Sequence, residues 1–164
     1  MKVRTFGTLG VVLVMAGVCF GQLDPSKLKF NGVGLDSTYG QVMKALGKPS
    51  RETKPKKEEC SGGRERNATY DGATFYFTDS GTKTFKVMSF DVTSAKYVVS
   101  GIKVGDSQLT VRRILGSKFT SGAGEAAGTT TWTYEIGEEI GPGSTVVTYR
   151  KGKVVGISSS YMVC

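Results

Sequence analysis

The chain has 164 residues, three cysteines, no histidine and a formal net charge of +8. Without histidine, neither a Ser-His-Asp nor a Cys-His catalytic site can be built from this chain alone, and the commonest metal ligand is missing. The basic excess favours acidic partners or an anionic surface. It lacks the arginine–aromatic interleaving that reads nucleic acid, so no nucleic-acid partner is expected.

Residues 1–21 read as a signal peptide. Lys2 and Arg4 supply a positive start, and Leu9 to Val18 form an apolar run too short to cross a bilayer comfortably. Cys19-Phe20-Gly21 places small residues where a signal peptidase reads them, so cleavage is expected before Gln22. The product would be secreted or periplasmic, with no stable membrane span. A lipid anchor on Cys19 is the alternative, although Val18 before it is bulkier than that signal normally allows. Cleavage leaves Cys60 and Cys164, which in an oxidising compartment are an expected pair. A bridge would close a loop of roughly 100 residues, worth about 4–5 kcal/mol in the chain-entropy model. Two free thiols are the other possibility.

One motif then occurs twice. Gly32, Val42, Leu46 and Gly47 return as Gly101, Val111, Leu115 and Gly116, always 69 positions on. Each copy predicts a helix. Thr38 and Ser107 stand at the N-cap, where a hydroxyl accepts free backbone N–H groups, and Gly47 and Gly116 supply left-handed stops. A shorter helical turn is expected before each, at 24–28 and 93–97. After each helix the apolar period changes to two, predicting strands. Ala68 to Tyr70 and Thr74 to Phe77 flank Asp71-Gly72, a pair that a type I′ turn prefers. Met88 to Val92, Trp132 to Ile136, Thr145 to Tyr149 and Val154 to Tyr161 follow.

The expected fold is therefore α+β. Two tandem helix-plus-antiparallel-meander repeats, 22–95 and 96–164, would form one sheet of six to eight strands with helices on one face. Phe75, Phe77, Met88, Phe90, Trp132, Tyr134, Ile136, Val155 and Ile157 are expected to face the helices. Thr74, Tyr76, Ser89, Asp91, Thr131, Thr133, Thr148, Ser158 and Ser160 are expected on the other side, provided no register slips.

The segment Val33 to Pro49, VGLDSTYGQVMKALGKP, resembles the N-terminal helix of the SmpA/OmlA (BamE-like) family of small envelope proteins. The tandem pair resembles the β-lactamase inhibitory protein family, in which two helix-plus-sheet repeats form one concave sheet that grips an enzyme. These resemblances imply a fold and a binding face, and no residue-level site.

No catalytic chemistry is expected. Asp36/Ser37 and Asp106/Ser107 are explained by helix starts, Glu58/Glu59 and Glu138/Glu139 by solvated turns, and Gly122 to Gly128 by a loop without a phosphate-binding Lys-Ser/Thr. No cofactor and no metal are expected. The expected function is an exported, non-enzymatic protein-binding module that uses the concave sheet face, inhibitor-like as the resemblance implies. Tyr76 would be its anchor, with Asp91, Thr133 and Ser158 beside it and Ile140 in a second contact loop. The alternative is a BamE-like envelope scaffold or outer-membrane assembly component.

Overall fold

The computed structural model describes residues 28–59, 62–137 and 143–161. Cys60, Cys164 and Ile140 lie outside the described residues, and with them the expected disulfide and second contact loop.

The strands of the first half are β1 (Lys29–Phe30), β2 (Val33–Gly34), β3 (Arg51–Glu52), β4 (Lys56–Lys57), β5 (Arg64–Tyr70), β6 (Ala73–Thr78) and β7 (Lys86–Val92), with α1 (Tyr39–Leu46) between β2 and β3. The second half begins with α2 (Gln108–Leu115), then β8 (Thr120–Ala123), β9 (Thr129–Ile136), β10 (Gly143–Arg150) and β11 (Lys153–Tyr161). Nine strands make one antiparallel sheet in the order β3-β5-β6-β7-β11-β10-β9-β8, with β4 also on the outer edge of β5.

This is a β-rich fold, and the α+β expectation with a helical layer is corrected. Each helix has only eight residues and buries one side chain fully, Val42 or Val111. Much of the cover over the apolar face is instead the β1–β2 hairpin and irregular chain, through Leu28, Phe30, Leu35, Tyr97, Val99 and Ile102. The helical turn expected at 93–97 is a non-helical turn; the one expected at 24–28 lies, apart from Leu28, outside the described residues. The helices are short because their glycine stops follow the caps so closely. Gly47 and Gly116 take φ of +78° and +91° nine residues after Thr38 and Ser107, which cap through Gln41 and Thr110.

The recurrent Gly32 and Gly101 have a second purpose. Asn31-Gly32 and Ser100-Gly101 both have positive φ at both positions, as a type I′ turn requires. Asp71-Gly72 was expected to form such a turn, but there only the glycine is positive. Between the two small hairpins Phe30 bridges to Val99, its own counterpart 69 positions on. The sheet obeys the same relation. Asp36 N–H donates to Val87 O, and Gly105 N–H donates to Val154 O, so Val87 corresponds to Val154 at a spacing of 67. The same spacing carries Asp91 to Ser158, which is its direct cross-strand partner. An approximate two-fold axis thus passes from Phe30/Val99 in the cover to Asp91/Ser158 in the sheet.

Two expected core residues are displaced by bulges. Phe77 pairs with Val87 while Tyr76 pairs with Ser89, leaving Met88 as the extra residue. Likewise Tyr149 pairs with Val154 and Thr148 with Gly156, leaving Val155 extra. Val87 and Val154 take the buried positions instead. A bulge inserts one residue into one strand only, and so reverses the alternation beyond it.

Each helix end is tied to the sheet by a buried tyrosine. Tyr70 donates to Gly47 O at 3.2 Å and Tyr134 to Gly116 O at 3.3 Å. Burial pushes both phenols up to about 12. Tyr149, equally buried, finds no partner for its hydroxyl. The contrast sets an expected result. Tyr149→Phe removes an unsatisfied polar group and stabilises by about 1 kcal/mol, whereas Tyr70→Phe and Tyr134→Phe each lose about 1 kcal/mol. Urea denaturation of the three variants measures the difference in sign.

Candidate functional site on the open sheet face

The strands that bury Phe75, Phe90, Ile157, Val147 and Trp132 on one side must, by alternation, turn their other residues away from the core. The register sets those residues in rows. Thr69, Thr74, Asp91, Ser158, Val146, Thr133 and Thr120 pair successively across seven strands, from β5 to β8. A neighbouring row runs Asn67, Tyr76, Ser89, Ser160, Ser144 and Glu135. From Thr69 to Thr133 these two rows are half-buried, and they carry mostly small hydroxyl side chains.

Four of the five expected contact residues meet here. Asp91 and Ser158 face each other at the approximate two-fold axis, Thr133 lies two strands further along the same row, and Tyr76 is diagonal to Asp91. The Tyr76 hydroxyl and the Asp91 carboxylate are close enough to shift each other's ionisation. Burial raises the Asp91 carboxyl above its ordinary value, and the Tyr76 hydroxyl opposes that shift. The Tyr76 phenol is raised by burial first and then by the Asp91 charge. The pair is the asymmetric element of the face. Across the two-fold relation the bulge places Thr148 where Tyr76 stands, and Ser158 replaces Asp91. Val146, at the centre of the row, follows from alternation with Thr148 but was not singled out, because its apolar side chain is unlike the hydroxyl residues that mark this face.

Asp79 offers the electrostatic opposite of Asp91. It is 3% exposed and accepts the Arg64 N–H at 2.7 Å and the Arg64 guanidinium at 2.8 Å. These bonds, the backbone one first, hold its carboxyl below the ordinary value. A depressed carboxyl contributes stability above its unfolded pKa and loses it as pH falls through the folded pKa; a raised one opposes folding once ionised. Asp79→Asn is therefore expected to lower the melting temperature at about pH 7, by an amount that shrinks as pH falls below about 4. Asp91→Asn is expected to raise it at about pH 7, with the gain also vanishing in acid. Thermal melts of both variants across this range measure the opposed signs.

At the rim, a cleft of about 300 Å³ lies among Asp36, Thr78, Lys86, Met88 and Tyr161. The Asp36–Lys86 ion pair, at 3.5 Å, contributes both its side chains to this lining. Among the described residues no group of three or more His, Cys, Asp or Glu side chains could hold a metal ion. Among them, too, no helix is long and apolar enough to cross a membrane.

No family model and no curated protein matches this chain. A solved structure, an extracellular protein containing an SCP domain from Bacillus anthracis strain Ames, is similar with a TM-score of 0.47 and 11% identity. The likeness covers 98% of this chain and 50% of that one, so the chain spans about half its length.

Proposed function

We propose that the chain is an exported, non-enzymatic protein-binding module that takes its partner on the open sheet face. Export rests on the charge and apolar pattern of residues 1–21. The observation that carries the binding reading is the convergence of Tyr76, Asp91, Ser158 and Thr133 on the sheet face turned away from the core, centred on the approximate two-fold axis. Tyrosine suits an anchor because it presents a large ring and a polar tip at little cost in side-chain entropy. The small Ser and Thr side chains around it leave room for an inserted loop and supply donors and acceptors to it.

The test is affinity capture from the host's envelope and secreted fractions by the chain from Gln22 to Cys164. The reading expects one stoichiometric protein that is lost with Tyr76→Ala. A partner retained equally by Tyr76→Ala and Asp91→Asn would overturn it. Recovery of outer-membrane assembly components through another surface would favour an envelope scaffold.

A further inference from the structure

The net positive charge is unevenly placed. Residues 28–50 and 93–119, which form the cover, carry eight bases against two acids, Asp36 and Asp106. The described residues of 51–92 and 120–161, the sheet and its hairpins, carry eleven bases against nine acids. Most of the excess among the described residues, six of eight charges, therefore lies in the cover. Lys29, Lys44, Lys96, Lys103, Arg112 and Arg113 are all exposed there.

The same side holds the exposed large apolar residues of the described chain, Val98, Leu109 and Ile114. Leu109 is the extreme case at 67% exposed. Because Val111 is the residue that α2 buries, positions two residues before and after it point the other way, at about 200° around the helix. Those positions are Leu109 and Arg113. In α1 the corresponding positions hold Gly40 and Lys44, so the apolar tip belongs to the second repeat alone.

We infer that the cover is a second binding surface and that it docks on an anionic lipid bilayer, with Leu109 entering the headgroup region. Clustered bases are attracted to anionic headgroups, and an aliphatic side chain among them adds apolar burial. A single-stranded nucleic acid fits less well, because these exposed apolar side chains are aliphatic and give no ring for a base to stack on. In this orientation the open sheet face is turned away from the membrane. The inference does not depend on what that face binds.

The test is flotation of the chain from Gln22 to Cys164, which contains every residue of the described fold, with two sets of vesicles. One set is an equal mixture of phosphatidylglycerol and phosphatidylcholine; the other is phosphatidylcholine alone. Binding is expected to the anionic vesicles only and to fall with added salt. Arg113→Gln and Lys103→Gln are each expected to weaken it about fivefold, and Leu109→Ser to weaken it without changing the salt dependence. Lys57→Gln, on β4 at the sheet edge beyond β5, removes the same charge away from α2 and is the control. Circular dichroism verifies that each variant is folded. No binding to anionic vesicles overturns the inference. So does an equal loss with Lys57→Gln, which would mean that net charge alone acts. Equal binding of Leu109→Ser and wild type to both the vesicles and a DNA oligonucleotide would also overturn it, by making the cover a general polyanion surface.

Discussion

Phe30→Ala is expected to destabilise the fold by about 3–5 kcal/mol, and Leu109→Ala by less than about 0.5 kcal/mol. Both are large apolar side chains in the cover, so their difference tests where the core lies. Phe30 is fully buried at the meeting point of the two repeats. Its ring packs edge-on to Phe75 at 5.1 Å and tilted to Tyr97 at 4.7 Å and Phe90 at 6.1 Å. Truncation would remove the transfer energy of the ring and leave a cavity beneath the axis that small backbone shifts cannot fill. Since domains of this size are stable by only about 5–15 kcal/mol, much of the margin would be lost. Leu109 touches mostly solvent, and removing it leaves no cavity. Urea denaturation with both variants measures the contrast. A loss below about 1 kcal/mol for Phe30→Ala would mean that the two hairpins do not close the core.

The second large effect concerns the open face. Tyr76→Ala is expected to weaken the partner complex at least thirtyfold, about 2 kcal/mol or more, as for a central aromatic anchor. Thr148→Ala, at the corresponding bulge of the other repeat, is expected to change it less than threefold, or about 0.6 kcal/mol. The comparison isolates Tyr76 from the general shape of the face, since both substitutions act next to a bulge on an inner strand. Tyr76→Phe keeps the ring and removes the hydroxyl beside Asp91, so an intermediate loss would divide the effect between the ring and the hydroxyl. Affinity measured by calorimetry or interferometry on the captured partner gives these ratios.

What could be read in the sequence was what local chemistry determines. Thr38 and Ser107 cap because their hydroxyls reach the backbone two or three residues on, and Gly47 and Gly116 stop helices because only glycine reaches their φ cheaply. Tyr76, Asp91, Ser158 and Thr133 share a face because strands alternate, whatever the neighbouring strand is. The errors arose where a distant partner decides. Met88 and Val155 follow their alternation correctly within their own strands until a bulge against β6 or β10 shifts the register, and nothing local marks a bulge without glycine at its extra residue. The helical content was overestimated for a related reason. Leu28, Tyr97 and Val99 are apolar enough to suggest helix packing, yet they are buried by irregular chain and short bridges whose partners lie far away in sequence. The Asp71-Gly72 turn differed from expectation because Asp71 keeps out of the left-handed region, which Asn31, Ser100 and Lys151 all enter.

The proposed function requires that the open sheet face, and not the cover, meet the protein partner. Oxidative and carbodiimide footprinting of the chain, free and in the captured complex, tests it most directly. Tyr76 and Asp91 are expected to lose reactivity in the complex while Leu109 and Asp36 keep theirs. Protection of Leu109 and Asp36 with Tyr76 and Asp91 still labelled would overturn that proposal and place the partner on the opposite side of the sheet.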